Sequence, residues 1–141
     1  MVRCCRIQIR TKITHGGMCL IVLGFHLMLD LKGCDREKLN DLAYIRQSML
    51  EAVQQLGAKL LGETFHKFSP YGVTGVVSIA ESHLTIHTWP EHKYAAVDIF
   101  TCSSSLKTRR VAEYIIDQLE CTEPSMTETQ RGILSKPTPG H

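Results

Sequence analysis

Residues 73–101 read VTGVVSIAESHLTIHTWPEHKYAAVDIFT, and this stretch decides the fold prediction. It holds three runs rich in β-branched and aromatic residues, at 73–80, 84–89 and 94–101, which predict three β-strands. Pro90 and the three residues after it predict a turn between the second and third strands. Strands that follow one another through such short turns are typical of an antiparallel sheet.

Four further elements are predicted on either side of this stretch. They are strands at 23–31 and 58–68, and helices from Asp35 or Asp41 to about Leu56 and from Thr108 to Glu120. The order is strand, helix, several strands, helix. It predicts an α+β fold, a two-layer sandwich in which an antiparallel β-sheet has helices packed on one face.

The two ends of the chain differ from this middle part. Residues 1–17 are basic and precede an apolar run at 18–29, a pattern that resembles a signal peptide. However, His26 interrupts the run, which is also too short to cross a bilayer. We expect 1–17 to be a disordered leader or extension, 18–123 to form the domain, and 124–141 to be a mostly irregular tail.

Composition limits the partners and the compartment. The net charge is +2, from 16 basic and 14 acidic residues, so no nucleic-acid or membrane partner is expected. The six cysteines contain no C-x-x-C pair and no zinc-finger spacing. Scattered cysteines of this kind are typical of free thiols in a cytoplasmic protein.

Reactive side chains concentrate at 81–92, which contains three histidines, two glutamates and one serine. His83 and His87 are four residues apart, but in a strand this spacing is about 13 Å, too far for two ligands of one metal. No metal site is therefore expected. Ser82 lacks the G-x-S-x-G pattern of a hydrolase nucleophile. The residues alone also allow ordinary surface histidines on an edge strand.

Several longer motifs make a more specific match. They are GCD at 33–35, FHKFSP at 65–70, GVTGVV at 72–77, ESHLTIHTWPE at 81–91, YAAVDIFTC at 94–102 and RGI at 131–133. Over most of 24–133 the chain closely resembles the small prokaryotic S-adenosylmethionine decarboxylase proenzymes. The run ESHLTIH, followed by a cysteine twenty residues after its serine, is the most specific part of this match.

The resemblance implies that the chain cuts itself between Glu81 and Ser82. The Ser82 hydroxyl attacks the Glu81 carbonyl carbon to give an ester, and loss of the Ser82 α-proton then expels the Glu81 carboxylate. The products are a fragment 1–81 and a fragment 82–141 that begins with a pyruvoyl group derived from Ser82. This carbonyl cofactor can condense with a substrate amine and accept electrons as carbon dioxide leaves.

The resemblance also implies roles for other residues. His87 corresponds to the proton acceptor in processing, and Cys102 to the proton donor in catalysis. Thr74 stands where the family usually has a serine that assists processing, and its stiffer side chain predicts slow cleavage. Phe68 and Glu91 correspond to substrate-binding residues, through ring stacking and through hydrogen bonds to ribose hydroxyls.

The spacing of Ser82 and His87 bears on how the site is built. They are five residues apart, so a straight strand points their side chains to opposite faces. Either the chain bends near His83, or one pocket takes residues from two protomers. The resemblance implies a homodimer with the site at its interface, in which one protomer contributes Ser82 and Cys102. The other contributes the remaining residues, namely Phe68, Thr74, His87 and Glu91.

The expected activity is conversion of S-adenosylmethionine to its decarboxylated form and CO₂, for spermidine biosynthesis. One alternative is the same pyruvoyl chemistry on arginine or ornithine. A second is a non-enzymatic small α+β binding domain.

Overall fold

A computed structural model describes residues 14–15, 18–102 and 105–135. The strands are β1 Thr14–His15, β2 Met18–Lys32, β3 Lys59–Lys67, β4 Val73–Ala80, β5 Ser82–Trp89, β6 Tyr94–Thr101 and β7 Glu123–Ser135. The helices are α1 Arg36–Leu39, α2 Leu42–Leu56 and α3 Ser105–Gln118, with a 3₁₀ turn at Pro90–His92. All strand pairs are antiparallel, in the order β1–β2–β6–β5–β4–β3, and β7 also pairs with β2.

The helices cover one face of this sheet. α2 packs on β3 and β4, α3 packs on β2, and the two helices contact each other. Alternate residues of each central strand point into this layer, as Ala95, Val97 and Ile99 do in β6. The predicted two-layer α+β sandwich is therefore confirmed.

Both candidate helix caps are used. The Asp35 carboxylate accepts a hydrogen bond from the Lys38 amide at the start of α1, and the Asp41 carboxylate accepts one from the Tyr44 amide at the start of α2. The structure thus has two helices where one was predicted. α2 ends at Leu56, and the capping residue Gly57 has a φ of 68°, which suits glycine.

The prediction of an irregular tail at 124–141 is wrong for the part that the structure describes. Residues 123–135 form β7, which pairs with β2 along Leu20 to Lys32. Pro124 lies near the start of this edge strand, where a missing amide hydrogen is tolerated. The side chains of β7 are mostly exposed, so no alternation of apolar and polar residues marks the strand. The rest of the tail, and most of the expected leader at 1–17, lie outside the described residues.

The other face of the sheet carries no helix among the described residues and presents polar and aromatic side chains. On β2 and β6, His26 Nε2 lies 2.9 Å from Asp98 Oδ1, and the Thr85 hydroxyl donates to Asp98 Oδ2 at 3.3 Å. We call this surface the open face, defined by residues such as Thr74, Thr85, His87, Asp98 and Phe100. None of the described helices has the length and apolar character needed to cross a membrane.

Candidate active site

Ser82 lies directly after the tight turn between β4 and β5. Its hydroxyl donates a close hydrogen bond to the carbonyl oxygen of Glu81, the residue before it. This contact brings Ser82 Oγ beside the Glu81 carbonyl carbon, across the peptide bond that joins the two residues. Glu81 itself is exposed at the turn. The arrangement suits transfer of the Glu81 acyl group from nitrogen to oxygen.

Cys102 reaches the same turn from the end of β6. Its thiol lies 3.9 Å from the Glu81 carbonyl oxygen. Burial is the main cause that raises the pKa of this thiol, the negative charge of Glu81 raises it further, and a hydrogen bond with Ser82 lowers it. Because the net shift is upward, Cys102 stays protonated at neutral pH, as a proton donor must.

Thr74 and His87 form a pair on the open face. They are direct partners across the β4–β5 ladder, and Thr74 Oγ1 lies 2.9 Å from His87 Nδ1. The Thr74 hydroxyl therefore provides His87 with the hydrogen-bond partner that a serine hydroxyl at position 74 would provide. This hydrogen bond orients the ring and sets which of its nitrogens carries the proton.

The Ser82 and His87 side chains are far apart within one chain. Ser82 begins β5 and His87 is its sixth residue, and five steps of about 3.4 Å separate them by roughly 17 Å. β5 is continuous through His83, so the alternative of a bend there is wrong. One chain therefore brings Glu81, Ser82 and Cys102 together and leaves His87 at the opposite end.

Phe68 and Glu91 lie at the His87 end of the sheet. Phe68 follows β3, is 49% exposed, and packs its ring edge-on against His66 at a centroid distance of 4.6 Å. Its amide donates to the Gly72 carbonyl oxygen at 2.8 Å, which closes the turn before β4. Glu91 is exposed in the 3₁₀ turn directly after β5. These two residues thus share one end of the sheet with the Thr74–His87 pair.

Side chains to which the sequence assigned no role surround Phe100, near the Ser82 end of the open face. The Phe100 ring contacts the His83 ring at 5.6 Å and the His26 ring at 6.0 Å, between centroids. The Arg131 guanidinium lies 5.6 Å from the Phe100 centroid. Charged residues at mid-strand positions, such as Asp98, are the signal that could have shown this cluster.

Within the described part of the chain, no group of three His, Cys, Asp or Glu side chains is placed to hold a metal ion. What the site offers instead is a serine hydroxyl, a backbone carbonyl and a thiol at one turn. Together with the sheet and its single helical layer, they define a small α+β protein with a turn suited to backbone rearrangement.

Comparison with known proteins identifies the family. A family model described as S-adenosylmethionine decarboxylase matches residues 25–132. The chain is 47% identical over 116 residues to the S-adenosylmethionine decarboxylase proenzyme of Thermodesulfovibrio yellowstonii, covering 82% of this chain and 86% of the relative. It is 47% identical over 115 residues to the proenzyme of the same name from Caldicellulosiruptor saccharolyticus, covering 82% and 93%.

A solved structure agrees with these relatives. The crystal structure of the adenosylmethionine decarboxylase from Aquifex aeolicus superposes with a TM-score of 0.78 at 36% identity, covering 84% of this chain and 98% of that one. The chain belongs to the S-adenosylmethionine decarboxylase family.

Proposed function

We propose that this chain is a proenzyme that cuts itself between Glu81 and Ser82 and then decarboxylates S-adenosylmethionine. The observation that carries the proposal is the contact of the Ser82 hydroxyl with the Glu81 carbonyl, beside the Cys102 thiol. Family membership supports the reaction, because the relatives are named as decarboxylase proenzymes.

The first step is self-processing. Ser82 Oγ attacks the Glu81 carbonyl carbon, and the peptide nitrogen leaves it, so that an ester replaces the amide. A base then removes the Ser82 α-proton, and the Glu81 carboxylate leaves from the serine β-carbon. His87 is the side chain that we assign to this proton transfer, oriented by the Thr74 hydroxyl. The residue left at position 82 is a dehydroalanine, and its hydrolysis releases ammonia and gives the pyruvoyl group.

The second step is decarboxylation. A pyruvoyl group at position 82 supplies a carbonyl that takes up electrons when the substrate loses carbon dioxide. The residues at the turn suit such a group, because Cys102 approaches it from β6 as a protonated thiol. Cys102 then returns a proton to the substrate α-carbon. Phe68 and Glu91 bind the adenosine part, through its base and its ribose hydroxyls.

Two protomers build each site in this proposal. The cutting turn lies at one end of β5, and the Thr74–His87 pair lies at the other end, on the open face. A two-fold axis that brings the β4–β5 turn of one protomer to the Thr74–His87 pair of the other would build two such sites. Each Ser82 would then meet the partner subunit's His87, together with the partner's Phe68 and Glu91.

Denaturing mass spectrometry tests the processing step. We expect wild-type protein to give fragments 1–81 and 82–141, the second with a blocked N-terminus that borohydride reduces. Ser82→Ala should give one intact chain, and the matched control Ser78→Ala, a substitution on the exposed side of β4, should be cut normally. An intact wild-type chain, or cleavage of Ser82→Ala, would refute the proposal.

Release of labelled CO₂ from S-adenosylmethionine, arginine and ornithine tests the substrate. We expect release from S-adenosylmethionine alone, because the named relatives do not favour the arginine or ornithine alternative, nor a non-enzymatic domain. We further infer a cytoplasmic location and a role in spermidine biosynthesis. The scattered positions of the six cysteines, with no C-x-x-C pair, support the reducing compartment.

A further inference from the structure

Two cysteines outside the proposed reaction lie together where the end of α3 meets the turn after β2. Cys34 is buried, at 2% exposure, whereas Cys121 is partly exposed. The Cys121 thiol donates to the Lys32 carbonyl oxygen at 3.0 Å, and the Cys34 thiol donates to the Leu31 carbonyl oxygen at 3.5 Å. The two sulfur atoms are thus held by consecutive carbonyl groups, and the two thiols interact with each other.

The backbone fixes this cysteine pair from both sides. The Asp35 amide donates to the Leu119 carbonyl oxygen at 3.0 Å on one side of the pair. The Thr122 hydroxyl donates to the Gly33 carbonyl oxygen at 3.3 Å on the other side. Both hydrogen bonds join the turn that contains Cys34 to the segment that contains Cys121. The backbones of the two cysteines are therefore neighbours. Such proximity is the geometric condition for a disulfide.

We propose that Cys34 and Cys121 form a reversible disulfide that covalently joins the two fragments of the processed protein. Cys34 belongs to fragment 1–81 and Cys121 to fragment 82–141. The joining of fragments rests on the proposed self-cleavage, whereas the disulfide itself does not. The bond would join the two fragments covalently under oxidising conditions, and reduction would remove this covalent link.

The chemistry has a defined order. Burial and the neighbouring thiol raise the pKa of Cys34 to about 12, so it remains protonated, and the more exposed Cys121 reacts first. The Cys121 thiolate attacks one sulfur of a low-molecular-weight disulfide and expels a small thiolate. Cys34 then gives up its proton, attacks the Cys121 sulfur and expels the second small thiol. Two protein thiols are oxidised, and one small disulfide is reduced to two thiols.

The test incubates the purified full chain with glutathione disulfide and measures mass without reducing agent. We expect one species whose mass is the sum of both fragments less about 2 Da, and two separate fragments after dithiothreitol. Cys121→Ser, at a partly exposed position that a serine can occupy, should lose this joined species. Cys19→Ser, which leaves both cysteines of the pair in place, should keep it.

An uncut chain separates this proposal from the proposed function. In Ser82→Ala, oxidation should remove about 2 Da from a single chain, and peptide mapping should find Cys34 linked to Cys121. If wild-type protein is not cut but shows the same loss and linkage, the disulfide stands and the self-cleavage fails. Fragments that separate under oxidation, or a linkage that maps to other cysteines, would overturn the disulfide.

Discussion

If each site takes residues from two chains, co-expression of two inactive variants, Ser82→Ala and His87→Ala, should restore activity. Within one chain these residues are roughly 17 Å apart along β5, whereas proton transfer needs a contact of about 3 Å. His87 therefore cannot act on the Ser82 of its own chain. It can act on the partner's Ser82 when the partner's β4–β5 turn lies beside it, as in the proposed dimer.

The expected yield follows from the symmetry of the dimer. If equal amounts of the two chains assort at random, about half of the dimers contain one chain of each kind. In each mixed dimer, one of the two sites combines an intact Ser82 with the partner subunit's intact His87, and the other site lacks both. About half of the His87→Ala chains should then be cut, and CO₂ release should reach about a quarter of the wild-type level.

The assay is the mass of fragment 82–141 over time. A fragment that carries the His87→Ala mass can come only from the complemented site or from slow background cleavage. For His87→Ala expressed alone, we expect cleavage to be about 10²- to 10⁴-fold slower. His92→Ala, a matched substitution of an exposed histidine near the same end, should be cut normally. If co-expression does not increase cleavage of the His87→Ala chain, the two-chain site is wrong.

Three further predictions concern individual contacts. Thr74→Val removes the hydroxyl that lies 2.9 Å from His87 Nδ1. Loss of this hydrogen bond should slow cleavage roughly 10-fold, measured as a mass time course. Thr74→Ser, which keeps a hydroxyl, should not slow it. Burial raises the pKa of Cys102, so its alkylation by iodoacetamide in uncut Ser82→Ala should have its midpoint at a higher pH than that of a free cysteine peptide. A midpoint at a lower pH than the peptide's contradicts the assignment of Cys102 as a protonated donor. Asp41→Ala removes the cap of α2 and should lower the free energy of unfolding in urea by about 1 kcal/mol, whereas Asp41→Asn should keep most of it.

Elements with a buried face were predictable from the sequence. The strands Val73–Ala80 and Tyr94–Thr101 were predicted with their observed bounds, because alternate residues enter the core and are apolar. β7 was missed because neither of its faces is buried, so its pairing with β2 has no apolar pattern. The extent of β2 was underestimated, since it begins at Met18 and was predicted from Leu23.

The candidate site was predictable only in part. Ser82, His87 and Cys102 were assigned through a resemblance, and the five-residue spacing of the first two already indicated opposite faces. The contact between the Ser82 hydroxyl and the Glu81 carbonyl depends on the conformation of a turn, which residue types alone do not specify. The Cys34–Cys121 contact joins positions 87 residues apart, from 121 minus 34, and no local pattern records such a pairing.

The position of β2 explains how the fold would survive the proposed cleavage between Glu81 and Ser82. Fragment 1–81 contains β2, β3 and β4, and fragment 82–141 contains β5, β6 and β7. β2, from fragment 1–81, lies between β6 and β7, which both belong to fragment 82–141. The proposed cut falls in the turn between β4 and β5, whose ladder would continue to pair the fragments afterwards. Separating the fragments would require breaking three ladders and the helical core. The fragments should therefore co-elute under native conditions even when reduced. The Cys34–Cys121 disulfide would be needed to hold them together only after the sheet has unfolded.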